Sequence, residues 1–141
     1  MKVFQATTTI AAAPETVWAI LTNASGYPEW DPGVERIEGR IAPGEKITAY
    51  TKLSPDRAFP VTVTTFEPGR KMVWASGMPL GLFKGERTFT LSPEGQGATE
   101  FRLREEFSGL LLPLIGRSIP DMTSTFEQFA AGLKGRAERA G

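Results

Sequence analysis

Between Val34 and Phe107 the chain is punctuated at short, nearly even intervals. The segments VERIEGRI, EKITAYTKL, PVTVTTF, KMVWAS, LFKGERTFTL and ATEFRLREEF alternate with APG, SPDRAF, EPGR, GMPLG and SPEGQG. Every separator carries a glycine or a proline, and the segments between them favour β-branched and aromatic residues. That rhythm predicts an antiparallel meander of about six strands, or seven with the β-rich start at Val3–Ile10.

What flanks the meander is helical. In AAAPETVWAIL, Pro14 suits a first turn and Glu15 suits the positive end of a helix dipole. Val17, Trp18 and Leu21 then form a buried stripe, with Trp18 expected firmly in the core. After the meander, Ile119, Met122, Phe126, Phe129, Ala130, Leu133 and Ala137 recur at three- and four-residue steps. Ser118 is placed to cap this helix with Asp121 completing a capping box, and Pro120 is tolerable there only in the first turn. A helix of roughly 20 residues spans about 30 Å and, being unstable alone, must lie against the sheet. The expected class is α+β in one domain, 1–141, with one or two short helices after the first strand.

Between the first helix and the meander lies ASGYPEWDPGVERIEG. Tyr27 and Trp30 stand there among Gly26, Pro28 and Pro32. Neither a helix nor a central strand accepts that spacing of prolines, so a loop is expected, with at most one helical turn before Tyr27. Such a loop is either a plug on the core or the lip of a cavity. Trp30 and Pro32 are expected to close the fold, and the Tyr27 phenol to reach a pocket entrance.

Composition removes whole classes of chemistry. There is no cysteine and no histidine, so thiolate or imidazole metal sites and histidine-based triads are excluded. Neither metal nor cofactor is expected. Sixteen basic residues balance sixteen acidic ones, which leaves nucleic acid without its electrostatic driving force. The basic run Lys134–Arg139 reads as a solvated helix end. The N-terminus has no continuous apolar run and no stretch reaches the ~18 apolar residues of a membrane span, so a cytoplasmic protein is expected.

Alternation along the last two strands exposes an anomaly. One face of FKGERTFTL carries Phe83, Gly85, Arg87, Phe89 and Leu91, and one face of ATEFRLREEF carries Thr99, Phe101, Leu103, Glu105 and Phe107. Each apolar face holds one charge. A hairpin turning around Glu94–Gly97, with paired residue numbers summing to 192, sets Arg87 opposite Glu105, and a register two residues tighter makes them diagonal neighbours still within reach. Paired charges are tolerable where isolated ones are prohibitive. The pair is a solvated feature of the sheet's mouth, a polar anchor in an apolar pocket, or a catalytic acid–arginine pair. Trp74, on the face of Met72, and Tyr50 are core or cavity lining. The stretch GLLLPLIGRSIP, apolar on all sides yet broken by Pro113, Gly116 and Pro120, is a kinked roof of the long helix, a lid, or a contact surface.

The phrase TIAAAPETVWAILTNASGYPEWDPGV resembles the N-terminal signature of the START-like, polyketide cyclase/dehydrase superfamily, also called SRPBCC or helix-grip. The matching steps are Ala13-Pro14-Glu15, Val17-Trp18 and Pro28-Glu29-Trp30-Asp31-Pro32, and FEQFAAGLKGRAE at 126–138 is similar to the superfamily's closing helix. The resemblance implies a curved seven-stranded antiparallel sheet wrapped around the long C-terminal helix, with an apolar cavity between them. A small apolar or aromatic ligand (a lipid, polyketide or quinone-like molecule) is then the expected partner, carried or sensed. Pocket walls would come from Trp74, Phe83, Phe89 and Phe101 on the sheet and from Met122 and Phe126 on the helix. Leu111, Ile115 and Tyr27 would stand near the entrance, and Arg87 with Glu105 would orient a polar group. The alternatives are a cyclase/dehydratase-type enzyme using Glu105, Arg87 and Tyr50, which the missing histidine disfavours, and a chaperone-activator-like interaction module. Transient membrane contact through 110–115 is compatible with either, and so is a monomer or a homodimer.

Overall fold

A computed structural model describes residues 1–140. Seven strands form one antiparallel sheet: β1 (Lys2–Ile10), β2 (Val34–Glu38), β3 (Lys46–Thr51), β4 (Phe59–Glu67), β5 (Lys71–Gly77), β6 (Lys84–Pro93) and β7 (Thr99–Ser108). Their order across the sheet is β1-β7-β6-β5-β4-β3-β2, a meander whose last strand takes the first as its neighbour. Register slips between Val34 and Arg36 on β2 and between Val63 and Thr65 on β4 mark bulges, which bend and twist a sheet. The sheet curls into a half-barrel around α3 (Thr123–Ala140).

Two local features fix the short helix α1 (Pro14–Leu21). Pro14 opens it from an extended Ala13, and Thr22 closes it by donating both its N–H and its hydroxyl to the Trp18 carbonyl, at 3.0 and 2.9 Å. Val17 and Leu21 are fully buried, but Trp18 is only half-buried, edge-on to Phe66 with ring centres 5.2 Å apart. The expectation of a core Trp18 is corrected. An eight-residue helix turns two adjacent positions to different sides, and Val17 takes the inward one.

The loop is a 3-10 helix, Ala24–Glu29, which contains both Tyr27 and Pro28. Tight turns of this kind accept a proline because fewer of their N–H groups have partners to lose. Trp30 follows it, buried, with its ring 4.9 Å from Phe129 of α3 and nearly perpendicular to it. The plug expected of Trp30 is therefore present, and α3 is shaped to receive it. A Cβ on Gly132 would stand 2.0 Å from the Trp30 carbonyl oxygen, so only glycine lets helix and loop meet there.

The long helix starts later than the sequence suggests. Ser118 donates to the Ile115 carbonyl at 2.7 Å instead of capping, and Ile119, which precedes Pro120, is extended. The Asp121 carboxylate accepts the Thr123 N–H at 2.9 Å, and the helix begins there. Residues 109–120 form a separate one-turn helix α2 (Leu112–Ile115) and a 3-10 turn at Gly116–Ser118. The inner face of α3 buries Phe126, Phe129, Ala130, Leu133 and Ala137, as its spacing predicts. No helix among the described residues is long and apolar enough to cross a membrane.

Candidate functional site

Burial along the inner face is uneven. On β6, Phe89 and Leu91 are sealed while Arg87 is partly open, and on β7 Phe101 and Leu103 are sealed while Glu105 and Phe107 are partly open. The inner face of α3 is buried along its length, from Phe126 to Leu133 and Ala137, whereas Met122, just before the helix, is half-buried. The grip thus has a closed end, near Ile10 and Ala137, and an open end where α2 and Met122 face Phe83 and Phe107.

At the closed end Phe129 is the hub. Its ring lies 6.2 Å from Tyr27, 6.0 Å from Phe89 and 6.0 Å from Phe101, besides its contact with Trp30. Phe89 and Phe101 have no surface that a water-sized probe reaches. A ring in that state borders no void able to hold even one water molecule. The expectation that these two line an open volume is corrected: the aromatic side chains of the loop, sheet and helix fill that space themselves. Two surface grooves border the loop from outside, one against α1 and the end of α3 and the other against Gln128 and Gly132, and neither touches Arg87 or Glu105.

Tyr27 belongs to this packed region. Its hydroxyl donates to the Leu21 carbonyl at 2.6 Å, so the phenol is spent on the scaffold and does not reach an entrance. Burial pushes its pKa well above the ordinary value; Asp31 adds to the rise and Arg87 opposes it. Asp31 itself, at the loop's end, has its pKa raised by burial, against the Gly33 N–H bond (3.0 Å) and the charges of Arg87 and Lys52.

Halfway along the grip stands the ion pair. Arg87 and Glu105 are directly opposite in register, and Arg87 Nε donates to Glu105 Oε1 at 2.8 Å. Their side chains keep 26% and 13% of their surface exposed, which places them between core and solvent. The guanidinium also lies 5.1 Å from the centre of the Phe126 ring. Its five N–H donors exceed what one carboxylate bond occupies. On the other side of Arg87, across β5, is Trp74. Trp74 is buried, and its indole N–H is without an acceptor. An unsatisfied buried donor costs about 1–3 kcal/mol, a cost that a partner acceptor would remove.

Beyond the pair, Phe83 and Phe107 stack with centres 5.8 Å apart, and Phe107 also meets Phe4 edge-on at 6.3 Å. Phe83, Leu111, Ile115 and Met122 are half-buried at this end. The structure therefore brings Trp74, Arg87, Glu105 and Phe126 together, with the other four half-buried beyond them. Tyr50 is not among them. Ile47 and Ala49 turn inward on β3, so Tyr50 faces outward, under the Arg36 guanidinium at 3.8 Å and bonded to Glu38 at 3.4 Å. Its assignment to an acid–base set with Glu105 is corrected on that ground. Sequence reasoning left out Phe4, Phe107 and Asp31. Phe107 was signalled by sharing the face of Glu105, whereas nothing in the loop's composition marks Asp31.

A curled seven-stranded half-barrel closed on one C-terminal helix, with short helices beside it, defines a START-like domain. The chain belongs to the polyketide cyclase/dehydrase and lipid transport family, whose model matches residues 1–138. A sequence search of curated proteins finds no match. Among solved structures, a START superfamily protein from Mycobacterium smegmatis shares 19% identity at TM-score 0.74, with 99% of each chain covered. The Zhui aromatase/cyclase from Streptomyces shares 15% at TM-score 0.70, over 98% of this chain and 94% of that one. Norcoclaurine synthase from Thalictrum flavum, a point mutant with a transition state analogue, also shares 15% at TM-score 0.70, over 99% and 95%. At these identities the likeness establishes the fold.

Proposed function

We propose that the chain binds an apolar small molecule carrying a hydrogen-bond acceptor, with its polar group on Arg87 and its apolar body toward Phe83, Phe107 and Met122; the Trp74 N–H, sealed from a water-sized probe in this structure, joins the contact once the side chains around it yield. The observation that carries this reading is the unpaired Trp74 indole N–H beside an arginine on an otherwise apolar inner face. A mainly apolar site with a few placed donors is the usual design of small-molecule pockets. The family's description, which joins cyclases with lipid transport, supports a ligand of this kind.

Dodecanoate, a carboxylate on an alkyl chain, is a suitable probe, and dodecane is the control that lacks the acceptor. Dodecanoate is expected to quench tryptophan fluorescence and raise the melting temperature, and Arg87→Leu to weaken its binding about tenfold or more, the size of a lost charge-assisted bond. Equal binding of dodecanoate and dodecane would remove the polar-anchor assignment. Native mass spectrometry of freshly purified protein would show the class of any co-purifying ligand.

A second reading, turnover in the same site, draws on the carboxylates near Arg87. Glu105 accepts its hydrogen bond, and burial holds Asp31 toward its protonated form. A carboxylate within reach of a substrate's reacting group can serve as a general acid or base. Glu105→Gln would then abolish product formation while ligand affinity stayed within a few-fold.

A further inference from the structure

At the rim of the open end two loops present leucines to solvent. Leu80 is 92% exposed, Leu110 79% and Leu114 71%, with Met78 at 47% beside them. We propose that this rim docks on the surface of an anionic lipid bilayer, with Leu80, Leu110 and Leu114 inserted among the acyl chains.

The loops are held together by their backbones. Leu111 donates its N–H to the Leu82 carbonyl at 2.8 Å, and Met78 donates to Phe83 at 2.8 Å. Gly109 allows the approach, since a Cβ there would lie 2.7 Å from the Leu82 carbonyl oxygen. The three leucines therefore stand on one braced edge instead of on independent tails. Leu80 has φ 61° and ψ 24°, the left-handed region that glycine and asparagine prefer, and it holds its side chain in water there. Nothing in the fold gains from a leucine at that position, whereas an insertion surface does.

The chemistry of the edge favours lipid over protein. Its projecting apolar side chains are aliphatic, without the tyrosine or tryptophan anchors that enrich protein interfaces. Exposed aliphatic knobs suit a fluid bilayer, which needs no matching pocket. Segments 78–84 and 108–120 contain Lys84 and Arg117 and no acidic residue. Lys2 adds its charge at their base, bonded to the Gly116 and Ile119 carbonyls at 3.1 and 3.2 Å. Glu86 pairs with Lys84 at 3.6 Å and Asp121 feels the charge of Lys2, so Arg117 is the cation of this edge in no ion pair among the described residues. Apolar insertion with cations at the interface is the pattern of peripheral membrane attachment. The mouth proposed for the ligand lies directly behind this edge, so an apolar molecule could pass from bilayer to protein without crossing water. That last step rests on the ligand reading; the docking does not.

Flotation with vesicles of phosphatidylcholine and phosphatidylglycerol tests the proposal. The full chain is expected to float with them, less so in high salt. Leu80→Glu with Leu110→Glu should reduce the bound fraction about tenfold or more. Leu80→Gly suits the backbone and should fold at least as well as the parent chain, yet bind less. The proposal is overturned if the parent chain stays unbound, if the variants float equally, or if light scattering shows a dimer that the glutamates dissociate. Dodecanoate titration in vesicle-free buffer is read in parallel. Its persistence in the double-glutamate variant separates a failure of docking from a failure of the ligand site.

Discussion

The two ends of the grip are built from the same kinds of residue and put to different use. At the closed end Tyr27, Trp30, Phe89, Phe101 and Phe129 touch one another and leave no accessible surface worth the name. At the open end Phe83 and Phe107 stack but remain half-exposed, next to a charged pair. What separates the ends is who fills the space. The loop 24–33 supplies Trp30 as a plug at one end, whereas the segment at the other, 109–118, turns Leu110 and Leu114 away from the interior. Rigidity and recognition are thereby divided along a single helix, and substitutions of one type should behave differently at its two ends.

Removal of a ring gives the widest contrast. Phe101→Ala should cost about 4 kcal/mol, because a sealed cavity replaces the ring, while Phe83→Ala should cost about 1 kcal/mol, since water can enter. Chemical denaturation of both variants measures the difference, and similar losses would erase the distinction between the ends. Glycines come next. Alanine is favoured over glycine inside a helix by about 1 kcal/mol, yet Gly132→Ala should lose about 3 kcal/mol by driving its methyl into the Trp30 carbonyl. At the open end Gly85→Ala meets Phe107 and Ser76 no closer than 3.4 Å and should be nearly neutral.

The ion pair sharpens the boundary between the two regions. Arg87→Leu alone should cost about 2–3 kcal/mol by leaving Glu105 partly buried and unpaired, and adding Glu105→Leu should recover most of that loss. Thermal melts of the two singles and the double give the coupling; additive losses would mean that solvent screens the pair.

The smallest effect concerns Asp31. Burial raises its folded pKa above the ordinary 3.8, so the native state binds its proton more readily than the unfolded chain does. Stability on this account is undiminished below the ordinary carboxylate range, falls as pH rises through the raised value, and stays reduced at neutral pH. Asp31→Asn, which can still accept the Gly33 N–H, should therefore melt about 2 °C higher at neutral pH, with the gain gone in acid. A gain of the same size in acid would show that charge is not the cause.

The meander and the shared face of Arg87 and Glu105 were legible, because turn residues and two-residue alternation are local signals that the sheet obeys; of the opposite and diagonal registers left open, the sheet takes the opposite one. Other features depend on contacts between distant segments. In KITAYT both faces carry apolar weight, and only pairing with β4 decides that Ile47 points in and Tyr50 out. The start of α3 was expected at a Ser118 cap, and the extended residue before Pro120 moves it past the proline, to Asp121 and Thr123. Gly132 reads as a weak helix residue until Trp30 is seen against it. The Trp74 N–H is invisible in the sequence for the same reason: a missing partner can be recognised only once every neighbour is in place.

The indole N–H resonances test the central claim most directly. The chain has three tryptophans, Trp18, Trp30 and Trp74, each of which gives its own signal in a proton–nitrogen correlation spectrum. Titration with dodecanoate is expected to move the Trp74 signal downfield as its N–H gains an acceptor, while Trp30, sealed at the closed end, stays in place. A Trp74 signal unmoved at saturation, or shifts concentrated on Trp30 and α1, would contradict an account in which the open end binds and the closed end only holds.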